Sequence, residues 1–241
     1  MIVQRIHYCW FGGRPLPLQA KRCLASWAYY LPGYEIVRWD EQNFDVQSHP
    51  FTAAAHSSGC YAFVSDYVRM YVLYALGGIY LDVDVEMNAD FEHLRDSDFF
   101  IGLEDRKRFG TSVIGAVAGH WLPMQMLNYY DKTSFDERML SALVNVNEVS
   151  RLLLTNGFSG LHGEVIDSLR VESVGVFAQA NKASDNTAVR RIARHLYAGS
   201  WRVRAGKSYV SRIWRWLRKI PGHVEACAYL CFYLGVIKFR R

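Results

Sequence analysis

Three acidic residues lie within five positions of the stretch GGIYLDVDVE, at residues 77–86. Alternate side chains of a strand share one face, so a continuous strand would direct four side chains the same way: Tyr80, Asp82, Asp84 and Glu86. Neighbouring carboxylates repel one another unless a cation or several donors compensate them. Oxygen ligands suit Mg²⁺ or Mn²⁺, and such an ion would neutralise a bound diphosphate. The spacing therefore indicates a metal site, and a polar strand end that caps neighbouring loops is the alternative.

The segment before the acidic stretch contains a second group of charges. Residues 61–76 have a helical composition without glycine or proline, and Gly77 and Gly78 supply a stop at the carboxyl end. Asp66 and Arg69 are three positions apart and fall on one face of this helix. Such a pair is either part of the site or an ordinary surface ion pair, which contributes little to stability.

The elements that must position these residues begin at the amino terminus. The pattern predicts a strand over 2–10, turn residues at 11–15, a helix over 18–30 and a strand over 34–39. The helix over 61–76 and the acidic strand follow. This order indicates an α/β protein that begins with a β–turn–α–β unit.

The combined segment FVSDYVRMYVLYALGGIYLDVDVE resembles the DXD-type sugar-nucleotide glycosyltransferases of glycosyltransferase family 32, which include capsular polysaccharide enzymes and initiating mannosyltransferases. The large clostridial glucosylating toxins have a similar core. The order of S-D-x-x-R, G-G-x-Y and D-x-D is more specific than any one of these motifs alone.

Two further segments resemble motifs of the same family. In IHYCWFGG the tryptophan, Trp10, matches the one that stacks on the nucleotide base in the related toxins; taken alone, it reads as a core aromatic. The segment HLYAGSW resembles a His-His-x-x-x-Ser-Trp motif, with Leu196 in place of the second histidine. The resemblance implies that His195 contacts metal or phosphate and that Ser200 and Trp201 hydrogen-bond the diphosphate.

The resemblance implies a GT-A fold, a Rossmann-like mixed sheet flanked by helices, with its nucleotide site at the carboxyl ends of the strands. The catalytic domain would cover residues 1–201. The donor would be a nucleoside diphosphate sugar, with UDP favoured over GDP, and the cofactor Mn²⁺ or Mg²⁺. Asp84 would bind the metal, Asp82 would contact the metal shell or the ribose, and Asp66 with Arg69 would hold the donor sugar. Tyr80 would line the same cavity, and transfer would retain the anomeric configuration.

The composition of the chain limits its class and location. Its 241 residues are 51% hydrophobic, which disfavours a disordered chain. Its formal charge of +5 would suit an anionic partner but does not distinguish among nucleic acid, membrane and nucleotide. The amino terminus does not read as a signal peptide, and five cysteines without a CxxC pair indicate reduced thiols. We therefore expect a cytoplasmic protein, and its basic residues form no recognised nucleic-acid module.

Residues 202–241 form a basic tail with ten Lys or Arg residues and one acid, Glu225. Within 207–219, apolar residues fall at helical spacing on one face, and basic residues lie on the other. The apolar run over 224–237 is shorter than the roughly 20 residues that a bilayer requires. The tail either packs on the catalytic domain or attaches the protein to an anionic inner membrane surface, near a lipid-linked acceptor.

The leading functional hypothesis is a metal-dependent glycosyltransferase that acts on a glycan or lipid-linked glycan in polysaccharide biosynthesis. A toxin-like protein glycosyltransferase is one alternative, although the chain contains neither a secretion signal nor a translocation domain. A non-catalytic module that binds sugar nucleotides or membranes is the other, although D-x-D, Asp66 and Arg69 are all present.

Overall fold

The computed structural model describes residues 1–105, 108–160, 164–178 and 191–197. The first half contains β1 (Arg5–Cys9), α1 (Leu18–Tyr30), β2 (Glu35–Trp39), α2 (Pro50–Ser57), α3 (Tyr61–Leu76) and β3 (Gly78–Leu81). The two strands and two helices predicted before the acidic stretch are therefore confirmed. The prediction did not include α2. This helix begins at Pro50, and the side chain of the preceding residue, His49, accepts the Phe51 N–H.

The remaining described elements are β4 (Val85–Met87), β5 (Phe99–Leu103), β6 (Phe109–Ala116), α4 (Trp121–Asp131), α5 (Asn145–Thr155), β7 (Glu164–Ile166), β8 (Leu169–Glu172) and β9 (Ala193–His195). Two short 3₁₀ turns lie at Glu92–Leu94 and Glu137–Met139.

Seven strands form one mixed sheet in the order β2-β1-β3-β6-β5-β8-β7. β1 is parallel to β2 and β3, β6 is antiparallel to both of its neighbours, and β8 is parallel to β5. Five strands (β2, β1, β3, β5 and β8) therefore run the same way and end at one edge of the sheet. We call this the carboxyl edge.

Helices cover both faces of the sheet. Tyr80 of β3 belongs to a core cluster that also contains residues of α3, α4 and α5, whereas its neighbours Ile79 and Leu81 belong to a second cluster with Cys23 and Trp27 of α1. Alternation along β3 thus sends successive side chains into opposite cores. The predicted Rossmann-like mixed sheet flanked by helices is confirmed.

The acidic stretch is not one continuous strand, as the alternation had predicted. β3 ends at Leu81, and the Val85 N–H donates to the Asp82 carbonyl at 2.9 Å, which closes a turn over residues 82–85. Aspartate is disfavoured in strands and favoured in turns, because its short side chain competes for local backbone groups. After the turn, β4 pairs with β9 in a separate two-stranded sheet.

The predicted common direction of all the acidic side chains is also wrong for Glu86. Its carboxylate accepts two hydrogen bonds from Arg194 of the neighbouring strand, at 2.6 and 3.0 Å. Glu86 lies in β4, beyond the turn, so its direction is set by the pairing with β9 rather than by the path of β3.

Residues Met1–Ala198 form one compact unit. The predicted boundary between residues 1–201 and the tail of residues 202–241 lies outside the described residues and stays a prediction. Three cysteines in the described part are free thiols: Cys9, Cys23 and Cys60. Within the described ranges, no helix has both the length and the apolar character needed to cross a membrane.

Candidate active site

The predicted site residues of the described part lie at or beside the carboxyl edge. Trp10 follows β1 directly, and Asp82 follows β3 directly. Because β1 and β3 are parallel neighbours, the residues that follow them leave the sheet at the same edge. His195 joins them from the end of β9, which pairs with β4 just after the acidic turn.

Asp82, Asp84 and His195 form a candidate metal site. One ligand atom from each residue lies within 4.8 Å of the other two. The pairing of β4 with β9 brings His195 opposite Val85, and the Leu196 N–H donates to the Asp84 carbonyl at 2.9 Å. Two carboxylates and one imidazole are a donor set that fits a divalent cation.

His195 and Asp84 also contact each other directly. The imidazole Nε2 lies 3.3 Å from Asp84 Oδ1. Burial of His195 disfavours its protonation, but the hydrogen bond to Asp84 and the charge of that carboxylate outweigh it, so the pKa of His195 is raised above its ordinary value. Each side chain thus stabilises the charged form of the other, as a bound cation would for Asp84.

Asp82 is held from its other side by Arg69 and Tyr80. Arg69 Nη2 lies 3.0 Å from Asp82 Oδ1, and the Tyr80 hydroxyl donates to the same oxygen at 3.1 Å. The guanidinium carbon lies 4.5 Å from the centre of the Tyr80 ring. Arg69 is only 4% exposed, so the alternative of an ordinary surface ion pair is wrong. This guanidinium fixes the first aspartate of D-x-D.

Asp66 shares the same guanidinium. Its Oδ1 lies 3.0 Å from Arg69 Nη2, and Arg69 Nη1 donates to the Thr111 carbonyl at 2.5 Å. Burial is the largest influence on Asp66 and raises its pKa to about 7; Arg69 opposes this shift and Asp82 adds to it. One buried guanidinium, that of Arg69, therefore pairs with the carboxylates of both Asp66 and Asp82.

Sequence reasoning missed two members of this network. Asn145 Nδ2 donates to Asp66 Oδ1 at 3.0 Å, and its Oδ1 accepts from the Thr111 hydroxyl at 2.9 Å. Asn145 is the first residue of α5 and is 3% exposed, whereas Thr111 lies in β6. An asparagine at a helix start reads as a common capping residue, so no local signal connected it to Asp66.

Trp10 is partly buried against the core cluster that contains α1. Its backbone N–H donates to the Trp39 carbonyl at 2.9 Å, and its indole nitrogen donates to the Arg14 carbonyl at 2.5 Å. These contacts place the ring beside the carboxyl edge without making it a fully buried core residue. Its contact with a nucleotide base stays a prediction.

Not every predicted site residue is accessible to a donor in this structure. Tyr80 is 1% exposed and, like Arg69, lies behind Asp82. A direct contact of either side chain with a donor stays a prediction, whereas their contacts with Asp82 are observed. Ser200 and Trp201 lie outside the described residues.

A mixed sheet with helices on both faces, and an acidic turn at the carboxyl edge of β3, define the GT-A class of glycosyltransferase folds. Residues 17–101 match the family described as "Glycosyltransferase sugar-binding region containing DXD motif". This segment therefore resembles the DXD-type glycosyltransferases, which confirms the resemblance found in the sequence.

Two curated relatives and one solved structure extend this comparison. Inositol phosphoceramide mannosyltransferase 3 of Schizosaccharomyces pombe is 28% identical over 109 residues, which are 44% of this chain and 31% of that protein. Subversion of eukaryotic traffic protein A of Legionella pneumophila is 28% identical, over 37% of this chain and 18% of that protein. The chain thus spans less than a third of either relative.

The solved structure is PaToxG Glycosyltransferase, which superposes with a TM-score of 0.53 at 17% identity and covers 65% of this chain and 70% of that chain. At this level of identity the likeness shows the fold alone. It agrees with the GT-A architecture described above.

Proposed function

We propose that this chain is a metal-dependent, retaining glycosyltransferase that moves a sugar from a nucleoside diphosphate sugar to a hydroxyl of a glycan or lipid-linked glycan. The observation that carries this proposal is the cluster of Asp82, Asp84 and His195 at the carboxyl edge, with ligand atoms within 4.8 Å. The pathway that we favour is polysaccharide biosynthesis.

Each group of site residues would have a distinct role in the reaction. Asp82, Asp84 and His195 would hold a divalent cation, Mn²⁺ or Mg²⁺, which would stabilise the charge of the departing diphosphate. Arg69 and Tyr80 keep Asp82 in place through observed contacts, so the site would be preorganised before the donor binds. Ser200 and Trp201 would contribute further donors to the diphosphate.

Asp66 would contact hydroxyl groups of the donor sugar. Its side chain is 14% exposed while that of Arg69 is 5% exposed, which supports Asp66 as the member of the pair that faces the donor and Arg69 as the member that supports it. The leaving phosphate would accept the proton of the acceptor hydroxyl, as the family resemblance implies for retaining enzymes.

The names of the relatives bear on the donor and the acceptor. We favour a UDP-sugar, but the yeast relative is named as an inositol phosphoceramide mannosyltransferase, which makes GDP-mannose a necessary comparison. Its name also supports a lipid-linked acceptor. The Legionella relative is named for an effect on eukaryotic traffic, which keeps a toxin-like glycosyltransferase as the alternative; a non-catalytic sugar-nucleotide module is the remaining one.

We further propose that the protein works in the cytoplasm, attached to the inner face of the membrane by the basic tail of residues 202–241. Vesicle co-sedimentation tests this: binding to anionic vesicles should weaken with salt and disappear when residues 207–241 are removed. Failure to bind any vesicle would leave a tail that packs on the domain.

The function is tested by release of nucleotide from a panel of UDP- and GDP-sugars with Mn²⁺, with Mg²⁺ and with a chelator, each with and without a glycan acceptor. We expect release from one donor class that requires the metal. Binding of nucleotide without turnover of any donor would favour the non-catalytic module, and turnover that persists in the chelator would contradict the metal site.

A further inference from the structure

The loop that follows β1 carries Trp10, and we call residues 10–14 the Trp10 loop. The Trp10 N–H extends the pairing of β1 with β2 by its bond to the Trp39 carbonyl, and the indole nitrogen closes the loop on the Arg14 carbonyl. The orientation of the indole ring therefore depends on the path of the residues between Trp10 and Arg14.

Glu41 holds the middle of this loop. The Gly12 N–H donates to Glu41 Oε1 at 2.6 Å, and His56 Nε2 lies 3.0 Å from the same oxygen. Burial of Glu41 opposes its ionisation, but the hydrogen bonds from Gly12 and His56 keep its pKa below its ordinary value. A charged acceptor thus faces a loop N–H, and such hydrogen bonds are stronger than neutral ones.

Tyr61 restricts the same glycine from another side. Gly12 has a φ of +91°, and a Cβ at this position would lie 2.2 Å from Cε2 of the Tyr61 ring. Tyr61 is the first residue of α3, the helix that carries Asp66 and Arg69. The Trp10 loop therefore packs on the same helix that supports Asp82.

The turn that carries Glu41 is itself well fixed. The Gln42 N–H donates to Asp40 Oδ1 at 2.9 Å, and the Asp40 N–H donates to Asn43 Oδ1 at 2.9 Å. These local bonds follow β2 at the carboxyl edge. Glu41 thus presents its carboxylate from a turn that is held by its own hydrogen bonds.

We propose that Glu41 is a positioning residue for nucleotide binding: it fixes the Trp10 loop, so that Trp10 meets the base in one orientation, and it does not contact the donor itself. This role rests on the proposed function, in which Trp10 is the platform for the base. Glu41 is 29 residues from Gly12 in the sequence and belongs to none of the motifs that carry the family resemblance.

Two measurements test the role of Glu41 in the full-length protein. Hydrogen exchange of a peptide that covers residues 10–14 reports on the loop, and titration with UDP and with GDP in the presence of Mn²⁺ reports on nucleotide affinity. Glu41→Ala should speed the exchange and weaken nucleotide binding about tenfold, the loss expected for one hydrogen bond to a charged group. The KM for the donor should rise while kcat stays within about twofold, because base binding is shared by ground and transition states.

Glu41→Gln keeps an oxygen that can accept from the Gly12 N–H and should restore most of the affinity. The matched control is Glu35→Ala, which removes an acid from the opposite end of β2, where Glu35 pairs with Arg5 at 2.6 Å. It should change neither measurement. If Glu41→Ala does not fold, Glu41→Asp shortens the side chain, withdraws its carboxylate from the Gly12 N–H and carries the same expectation.

The outcomes separate this role from the function on which it rests. A wild-type protein that binds no nucleotide would overturn both. Wild-type binding with unchanged affinity in Glu41→Ala would overturn the role of Glu41 alone, and so would faster loop exchange without a loss of affinity.

Discussion

Asp82 and Asp84 are two residues apart, but the protein holds them by different means. Asp82 contacts a buried guanidinium and a buried phenol, Arg69 and Tyr80, which come from the helix and strand just before it. Asp84 contacts the imidazole of His195, which comes from a strand more than a hundred residues later. One aspartate faces a permanent cation, and the other faces a group that can lose its charge.

This difference in partners predicts a structural role for Asp82 that Asp84 does not share. The charge of Asp82 is compensated inside the protein, so its loss would remove one of the two carboxylates that pair with the buried Arg69 and disturb the fold. The observed partner of Asp84 is His195, which compensates the charge of Asp84 when it is protonated. We therefore expect Asp82 to serve both stability and function, and Asp84 to serve mainly function.

The largest effect should follow from removal of the buried cation. Arg69→Met leaves the carboxylates of Asp66 and Asp82 unpaired and should lower the free energy of unfolding by about 3–5 kcal/mol in urea denaturation. The control is Arg5→Met, whose ion pair with Glu35 is solvent-exposed and should contribute less than about 1 kcal/mol. Equal losses in the two variants would show that the network around Arg69 does not stabilise the fold.

The two aspartates should separate when each is changed to asparagine. Asp84→Asn should reduce metal-dependent turnover by about 100-fold or more, by analogy with the loss of other electrostatic stabilisers, while metal-free stability is retained. Asp82→Asn should lower both turnover and stability, because Arg69 loses one of its carboxylates. Wild-type turnover in Asp84→Asn would refute the metal assignment, and equal stability of the two variants would remove the distinction between them.

Trp10 should act independently of both aspartates. Trp10→Ala should weaken nucleotide binding by about 1–3 kcal/mol, by analogy with base stacking on aromatic side chains, and should leave Mn²⁺ affinity unchanged. Trp121→Ala is the control, because Trp121 begins α4 after β6, which runs antiparallel to β3 and ends at the opposite edge of the sheet. Unchanged nucleotide affinity in a folded Trp10→Ala protein would make Trp10 a core aromatic.

The smallest effect concerns pH. Asp66 has a pKa of about 7 in the folded protein, above the value near 4 expected when unfolded, so the folded state holds this proton more tightly. Its contribution to stability is therefore present below about pH 4 and is lost as the pH rises to about 7. In metal-free urea denaturation, wild type should lose at least about 1.4 kcal/mol more than Asp66→Asn over this range, because even one unit of this pKa shift corresponds to that free energy. Parallel stability curves would show that Asp66 has an ordinary pKa.

The local elements could be predicted because their signals are local. Turn residues and helical composition bounded α1, β2 and α3 correctly, and Gly77 and Gly78 marked the end of α3. The same rule of alternation failed at Asp82, because it assumes that a strand continues wherever the residues permit it. The hydrogen bond from the Val85 N–H to the Asp82 carbonyl ends the strand instead.

The sequence by itself determined the set of motifs and their order, because Asp66, Arg69 and Asp82 lie on a helix and strand joined by a short turn, where spacing alone limits their separation. Only the tertiary structure decided which distant residues complete the site. Strand pairing brings His195 to Asp84 and turns Glu86 to Arg194, and packing of α5 brings Asn145 to Asp66. These contacts depend on strand register and on helix packing between parts of the chain far apart in sequence, for which no local pattern carries a signal.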